Sequence, residues 1–204
     1  GKKFVKMKTL FIGDIVGRKA RNFVIEKIKE FKKGKYFDLI IVNVENSAGG
    51  FGVTPEICDQ FLLNGADVLT SGNHIWDKKE IISYINDTNK LLRPMNMIEG
   101  TPGLGITIID TSFGKIGVAN LMTNLFMPKS NPVFECLNHI KLKFNSNENL
   151  CFSLVDVHGE ATSEKLAIGH LLDGHVSAVV GTHTHIPTSD YRVLENGTAY
   201  ITDV

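Results

Sequence analysis

Five strand-length apolar runs in this chain each end on a cluster of carboxylate, amide or imidazole side chains. The clusters are Gly13-Asp14, Val44-Glu45-Asn46, Ser71-Gly72-Asn73-His74, Asp156-Val157-His158 and Gly181-Thr182-His183-Thr184-His185. Short apolar runs alternating with helical patterns imply parallel strands joined by right-handed crossovers. In such sheets the carboxyl ends of the strands open onto one crevice, where ligands bind. Polar clusters that all sit at the same end of their strands can therefore converge from distant parts of the chain.

The alternation can be followed residue by residue. Thr9 to Ile12 reads as a first strand, followed by a helix from about Lys19 to Lys33 with Phe23, Ile28 and Phe31 as core contacts. Leu39 to Val44 has the character of a strand buried on both faces. Thr54-Pro55-Glu56 supplies an N-cap, a first helical position and a first-turn acid for a helix to about Asn64. Asp67 to Thr70 is the next strand, and Asp77-Lys78-Lys79-Glu80 resembles a capping box with Asp77 as N-cap, the alternative being that Asp77 orients His74. After Pro94, Gly105–Asp110 and Lys115–Leu121 form an expected hairpin around Ser112-Phe113-Gly114. A helix over Val133 to Lys143, a strand Leu150–Val155, a helix Ser163–Leu172 and a strand Val176–Val180 restore the alternation. The segment Tyr191 to Ile201 is a hairpin about Asn196-Gly197. One layered domain over 7–204, with a mixed sheet or two packed sheets, fits this grammar. Gly1 to Lys6 precede the start-like Met7-Lys8-Thr9-Leu10 and read as a leader or added residues.

Composition narrows the function classes. The 22 basic and 22 acidic side chains balance, which argues against a broad basic footprint for duplex nucleic acid. No apolar stretch reaches the ~20 residues needed to span a bilayer, and no signal-type start is present. Cys58, Cys136 and Cys151 form no C-x-x-C pair, so a reducing, cytoplasmic setting is expected, with Cys58 and Cys151 as core or near-core thiols.

Taken singly, each cluster residue has an ordinary reading. Asp14 could cap a helix, Asn46 could form a turn, and a lone histidine is more often a hydrogen-bonded side chain than a ligand. Glu45 is harder to place, because a carboxylate continuing a buried strand is costly unless paired or bound to a cation. His183 and His185, two residues apart, can reach a common centre. His139, His170 and His175 lack such settings and read as surface residues. Together, two carboxylates, two amides and three or four imidazoles exceed one tetrahedral zinc site. The set suits two ions sharing a bridging carboxylate, divalent or mixed-valence, and it admits iron, manganese or zinc without choosing among them.

The longer strings are more specific. Phe11-Ile12-Gly13-Asp14-Ile15-Val16-Gly17, Glu45-Asn46-Ser47-Ala48-Gly49-Gly50-Phe51-Gly52, Gly72-Asn73-His74-Ile75-Trp76-Asp77 and His158-Gly159-Glu160-Ala161-Thr162-Ser163-Glu164-Lys165 stand in order before Gly181-Thr182-His183-Thr184-His185. This series resembles the calcineurin-like metallophosphoesterases, and in particular their bacterial YmdB-like branch, from Met7 to the C-terminus. The resemblance implies an α/β fold, a layered α-β-β-α sandwich with mixed sheets. It implies that Asp14, Asn46 and His185 hold one metal, that Asn73, His158 and His183 hold the other, and that Glu45 bridges both. His74 would stand beside the metals without ligating, facing the leaving oxygen. Val16 occupies a place where the wider superfamily has a histidine, and Asn46 is the natural substitute. Relatives in this branch are expected to carry a further C-terminal segment past the position of Val204, with consequences for a pocket wall, a strand partner or an oligomer contact.

The implied activity is hydrolysis of small phosphodiesters, with cyclic nucleotides as substrates, by a metal-bridging hydroxide with His74 as acid. The implied partner is a small phosphodiester or nucleotide, with no duplex nucleic acid and no membrane, and a homo-oligomer is left open. A metal-stabilised nucleotide-sensing or scaffold protein without turnover is the alternative of a different class, and a phosphomonoesterase is a third. Arg93 is a candidate phosphate-binding cation or a surface arginine. The Gly49-Gly50-Phe51-Gly52 segment reads as a flexible loop near the site.

Overall fold

The structure is a computed structural model that describes residues 6–204, so the expected leader lies outside the described residues apart from Lys6. Strands β1 (Thr9–Ile12), β2 (Leu39–Asn43) and β3 (Val68–Thr70) form a parallel sheet in that order, connected by helices α1 (Gly17–Gly34) and α2 (Pro55–Asn64). A short helix α3 (Ile81–Asn86) leads to β4 (Ile106–Thr111) and β5 (Gly114–Met122). A 3-10 turn at Val133–Glu135 opens α4 (Cys136–Asn145), followed by β6 (Leu150–His158), α5 (Thr162–Leu172), β7 (Ala178–Thr182), β8 (Arg192–Val193) and β9 (Ala199–Ile201). The second sheet runs β4-β5-β6-β7-β9-β8, parallel in its centre and antiparallel at both edges.

Strand alternation sorts the apolar side chains into three cores. Ile40, Val42 and Leu69 face α1, α2 and α3 through Ile28, Phe61, Ile81 and Ile85. Leu39, Ile41 and Val68 turn the other way, against Ile116, Val118, Leu154 and Val180 of the second sheet. Ala119, Val155, Val157 and Val179 then meet Ile140, Phe144, Ile168 and Leu172 of α4 and α5. The order helix, sheet, sheet, helix is the α-β-β-α sandwich that the sequence leads one to expect. Burial on both faces explains why β2 lacks a polar-apolar alternation, and each buried aliphatic side chain contributes about 1.5–3 kcal/mol of transfer free energy.

The α2 signals act as written: the Thr54 hydroxyl accepts from the Ile57 N–H at 3.4 Å, Pro55 opens the helix, and Gly65 closes it at φ 124°. The Asn196-Gly197 hairpin also forms, with Arg192 opposite Tyr200. Two core assignments do not hold. Phe23 is 64% exposed, because the buried stripe of α1 runs through Val24, Ile25, Ile28 and Phe31 and leaves Phe23 beside Lys27. Cys151 is exposed on β6, whereas Cys58 is buried. No helix among the described residues is long and apolar enough to cross a membrane.

Near the carboxyl ends of the strands the inter-sheet layer changes character. Asn43, Thr70, Asn120, Asp156 and Thr182 point into it and are fully buried. Their hydrogen bonds tie the strand-end turns of one sheet to the other. The Asn43 amide donates to Asp156 Oδ2 at 2.9 Å while its oxygen accepts the Glu45 N–H at 3.2 Å. Asn120 Oδ1 accepts the Ser71 N–H at 2.9 Å. The turns carrying Glu45 and Asn73-His74 are therefore positioned from beneath by buried polar groups.

Candidate metal centre

Above this polar layer the five clusters meet. Glu45 sits in the turn after β2, and its Oε1 lies 3.0 Å from His158 Nε2. The same His158 nitrogen lies 3.0 Å from Asn73 Oδ1 and 3.2 Å from His183 Nδ1. One ligand atom each from Glu45, His158 and His183 fall within 4.8 Å of one another. Gly72 makes this approach possible, since a Cβ there would overlap the His158 ring and Glu45 Oε2. On the other side, the Asn46 amide stands 3.0 Å from Glu45 Oε1 and 3.4 Å from His185 Nε2. Asp14 follows β1; its Oδ2 accepts the His183 N–H at 2.8 Å and its Oδ1 is 3.8 Å from His185 Nε2. All seven donors expected from the sequence thus come together in two adjoining groups that share Glu45. Val16 is exposed, and Asn46 is the buried residue beside His185.

His183 and His185 adopt positive φ values of 105° and 59°. Non-glycine residues hold such backbone only where surrounding structure enforces it, commonly at functional sites. The support here lies beneath the loop. Lys165 Nζ donates to the Thr182 carbonyl at 2.9 Å and to Asp203 Oδ2 at 2.7 Å, and Asp203 also accepts the Thr184 N–H at 3.3 Å. Both charged side chains are buried. Glu160 Oε2, 3.3 Å from His183 Nε2, holds the outer edge of that imidazole.

The donor set fits a divalent cation on two structural grounds. Asp14 Oδ1 and Asn46 Oδ1 are buried yet have no hydrogen-bond partner among the described residues, a costly arrangement that a bound cation would relieve. The buried carboxylates also call for positive charge. Burial disfavours a charged His158, but Glu45 beside it, then Asp14 and Asp156, raise its proton affinity. Burial likewise opposes the charge of Glu45, and the His158 and His74 contacts overcome it to hold the carboxyl low. Burial and the neighbouring His158 lower that of His183. A proton on His158 and a cation among these donors answer the same electrostatic demand.

His74 stands at the edge. Its N–H donates to Glu45 Oε2 at 3.1 Å, its ring lies 4.9 Å from that of Phe51, and its side chain is 30% exposed. His74 Nδ1 is 2.8 Å from Asp77 Oδ2. This corrects the capping assignment: α3 begins at Ile81, with no side-chain cap, and Asp77 faces His74 instead. A spacing of three serves a capping box and a histidine–carboxylate pair equally, so the sequence alone could not separate them. Arg93 is neither a phosphate cation nor a surface side chain. It is half-buried and donates to the carbonyls of Pro94, Met95, Thr101 and Pro102, stapling its own loop. His139, His170 and His175 are exposed, on α4, on α5 and in the turn that follows α5.

Sequence reasoning passed over the chain behind His158. Its Nδ1 is 2.9 Å from the Thr182 hydroxyl, which donates to Asp156 Oδ1 at 2.7 Å. Asp156 Oδ2 also accepts from Thr70 at 2.5 Å and from Asn43. A hydroxyl has one proton, and Thr182 gives it to the carboxylate, so it accepts from His158 Nδ1–H. When the imidazole is neutral, this places its proton on Nδ1 and leaves Nε2 free toward Glu45, Asn73 and His183, the form that can ligate.

Over residues 10–204 the chain matches the family model described as YmdB-like protein. It is 46% identical over 198 residues to the 2',3'-cyclic-nucleotide 2'-phosphodiesterase of Bacillus subtilis (strain 168), covering 97% of this chain and 74% of that protein. A hypothetical protein from Thermus thermophilus superposes with a TM-score of 0.88 at 36% identity, over 97% of this chain and 76% of the other. A novel phosphatase from Mycoplasma pneumoniae gives 0.87 at 32% identity, over 98% and 72%. The relatedness is of the metallophosphoesterase type, which implies divalent metal ions. Spanning nearly the whole sequence in both comparisons, the match shows that the chain belongs to the YmdB-like family.

Proposed function

We propose that the protein is a phosphodiesterase of small substrates, with cyclic nucleotides as the substrate class, working at a two-metal centre. The observation that carries this reading is the meeting of seven residues with oxygen or nitrogen donors, Glu45 among them, with two buried acceptors that have no hydrogen-bond partner among the described residues. Asp14, Asn46 and His185 would hold one ion, and Asn73, His158 and His183 the other, with Glu45 between them. Iron or manganese suits this mixed donor set, and zinc is compatible. The substrate class is supported by the Bacillus subtilis relative, a 2',3'-cyclic-nucleotide 2'-phosphodiesterase. A reducing, cytoplasmic setting accords with the three unpaired cysteines.

When bound, the ions supply Lewis-acid polarisation of the phosphoryl group and a nucleophile drawn from water. The protein's own residues do the rest. Asp14 and Glu45 provide buried negative charge, and the Thr182 hydroxyl keeps His158 in the tautomer whose Nε2 can ligate. Asp77 accepts from His74 Nδ1–H, which orients the ring so that the imidazolium can give its Nε2 proton to the departing alkoxide and be left as the neutral imidazole. The partial exposure of His74 lets a substrate reach that atom.

The test is metal analysis beside hydrolysis of bis-p-nitrophenyl phosphate. His183→Ala should lose metal and activity together, whereas His74→Ala should keep metal and lose turnover. Full activity in metal-stripped protein would overturn the reading.

A further inference from the structure

Beside Asn73 the surface falls into a cavity of about 290 Å3, walled by Asn73, Trp76, Met97, Ile98, Met122 and Pro128. Its walls are held by polar groups that the candidate metal centre does not use. The Trp76 indole N–H donates to Met97 Sδ at 3.3 Å, which fixes the ring. Asn96 is buried; it accepts the Met122 N–H at 3.0 Å and donates to the carbonyls of Met122 and Asn131 at 2.8 and 2.9 Å. Glu164, also buried, accepts the N–H groups of Asn124 and Leu125 at 2.9 and 3.0 Å. Burying an amide and a carboxylate is costly unless their bonds are satisfied. Here the satisfied bonds clamp the two loops, 95–101 and 123–131, on either side of the cavity.

We infer that this cavity receives the nucleobase of a nucleotide whose phosphodiester lies at the candidate metal centre. The inference rests on the phosphodiesterase reading and adds a place for the rest of the substrate. Asn73 belongs to both regions, since it lines the cavity while its Oδ1 lies 3.0 Å from His158 Nε2. The centre itself is polar and suits the charged ester. A base presents flat, weakly hydrated faces, and the Trp76 indole beside the Met97 thioether offers the polarisable surface that such faces prefer. The volume lies just below the ~300–1,000 Å3 found for pockets that take drug-sized ligands, and gives room for a base. Lys129 at the same cavity adds a donor for a base edge.

Trp76 is the chain's one tryptophan, so its fluorescence reports directly on the cavity. Titrating metal-loaded protein with adenosine 3'-monophosphate should quench it saturably, while inorganic phosphate alone should not. Ile98 is 62% exposed, so Ile98→Asp should fold normally. That variant should weaken the nucleotide-induced quench about ten-fold or more. Its kcat/KM should fall about ten-fold further for 2',3'-cyclic AMP than for methyl p-nitrophenyl phosphate, which has no base. Unchanged fluorescence at nucleotide concentrations that inhibit hydrolysis would overturn the inference and leave the phosphodiesterase reading standing, as would equal losses on the two substrates. Quenching by the nucleotide in protein that hydrolyses no diester would support the cavity assignment and remove the phosphodiesterase reading instead.

Discussion

His158 Nδ1 lies 2.9 Å from the Thr182 hydroxyl oxygen. Because Thr182 donates its one proton to Asp156, this contact selects the imidazole tautomer that leaves Nε2 open. Thr182→Val keeps the side-chain shape and removes the acceptor. It should weaken metal affinity about 10- to 100-fold, as measured by calorimetric titration, while Thr182→Ser should stay near the parent value. Equal affinity in the valine variant would show that the hydroxyl does not set the tautomer.

The His74–Asp77 pair makes a different prediction, because neither side chain is among the seven clustered donors. His74→Ala should lower kcat about 10²- to 10⁴-fold with metal content intact. Asp77→Asn should cost less, about ten-fold in kcat, with little change in KM, since it disturbs the orientation of the ring rather than removing it. Steady-state kinetics beside metal analysis would separate these effects. A large rise in KM in either variant would mean that the pair binds substrate instead.

The clustering of these polar side chains was legible because a carboxylate or imidazole beside an apolar run carries a cost that needs explaining, as Glu45 does after Leu39–Asn43. The sandwich was legible too, since alternating runs such as β5 and β6 can only bury both faces between two layers. The residues beneath the site were not. Asn43, Thr70 and Thr182 are single polar residues inside apolar strands, and nothing in one sequence says that their side chains share a layer. Asp156 and Asn43 are 113 residues apart, and only the register of the two sheets brings them to 2.9 Å. Lys165 is hidden for a similar reason: its partner Asp203 lies 38 residues on, and a lysine in a helix ordinarily reads as solvated.

Asp156 gives the fold a pH signature. Burial, only partly offset by His158 and the donors from Thr70, Thr182 and Asn43, pushes its carboxyl from 3.8 up to about 6. The folded state therefore binds this proton more tightly than the unfolded chain. The associated stability is fully present below about pH 4 and is lost as pH rises through about 6, an effect of about 3 kcal/mol. Denaturant unfolding of metal-free protein between pH 4 and 7 should show this fall, superposed on the other titrating groups. The difference between the parent and Asp156→Asn isolates it, and a difference that is flat across that range would refute the assignment.

Metal removal should be visible in stability as well as in activity. A cation at 100 times its dissociation constant stabilises the folded state by about 2.7 kcal/mol. For a chain of this size that corresponds to a rise of roughly 5–10 °C in Tm. Chelation should reverse it, and re-addition of manganese or iron should restore it. In Glu45→Gln the difference between loaded and stripped protein should shrink, because Glu45 stands between both groups of donors. A full-sized difference in that variant would place the ion elsewhere.

The ion pair beneath the histidine loop separates stability from site geometry. Lys165 and Asp203 are both buried, and Lys165 also holds the Thr182 carbonyl just before His183. Lys165→Met leaves the Asp203 charge buried without its partner, and should cost about 3–5 kcal/mol in denaturant unfolding. Replacing both charges, as Lys165→Met with Asp203→Asn, removes the unpaired charge and should recover much of that loss. The double variant still lacks the donor to Thr182 and the charged acceptor for the Thr184 N–H. His183 and His185 keep their positive φ values only while the surrounding contacts enforce them. The double variant should therefore fold well and yet bind metal more weakly than the parent. Parental metal affinity in a stable double variant would show that the loop holds its conformation without the pair.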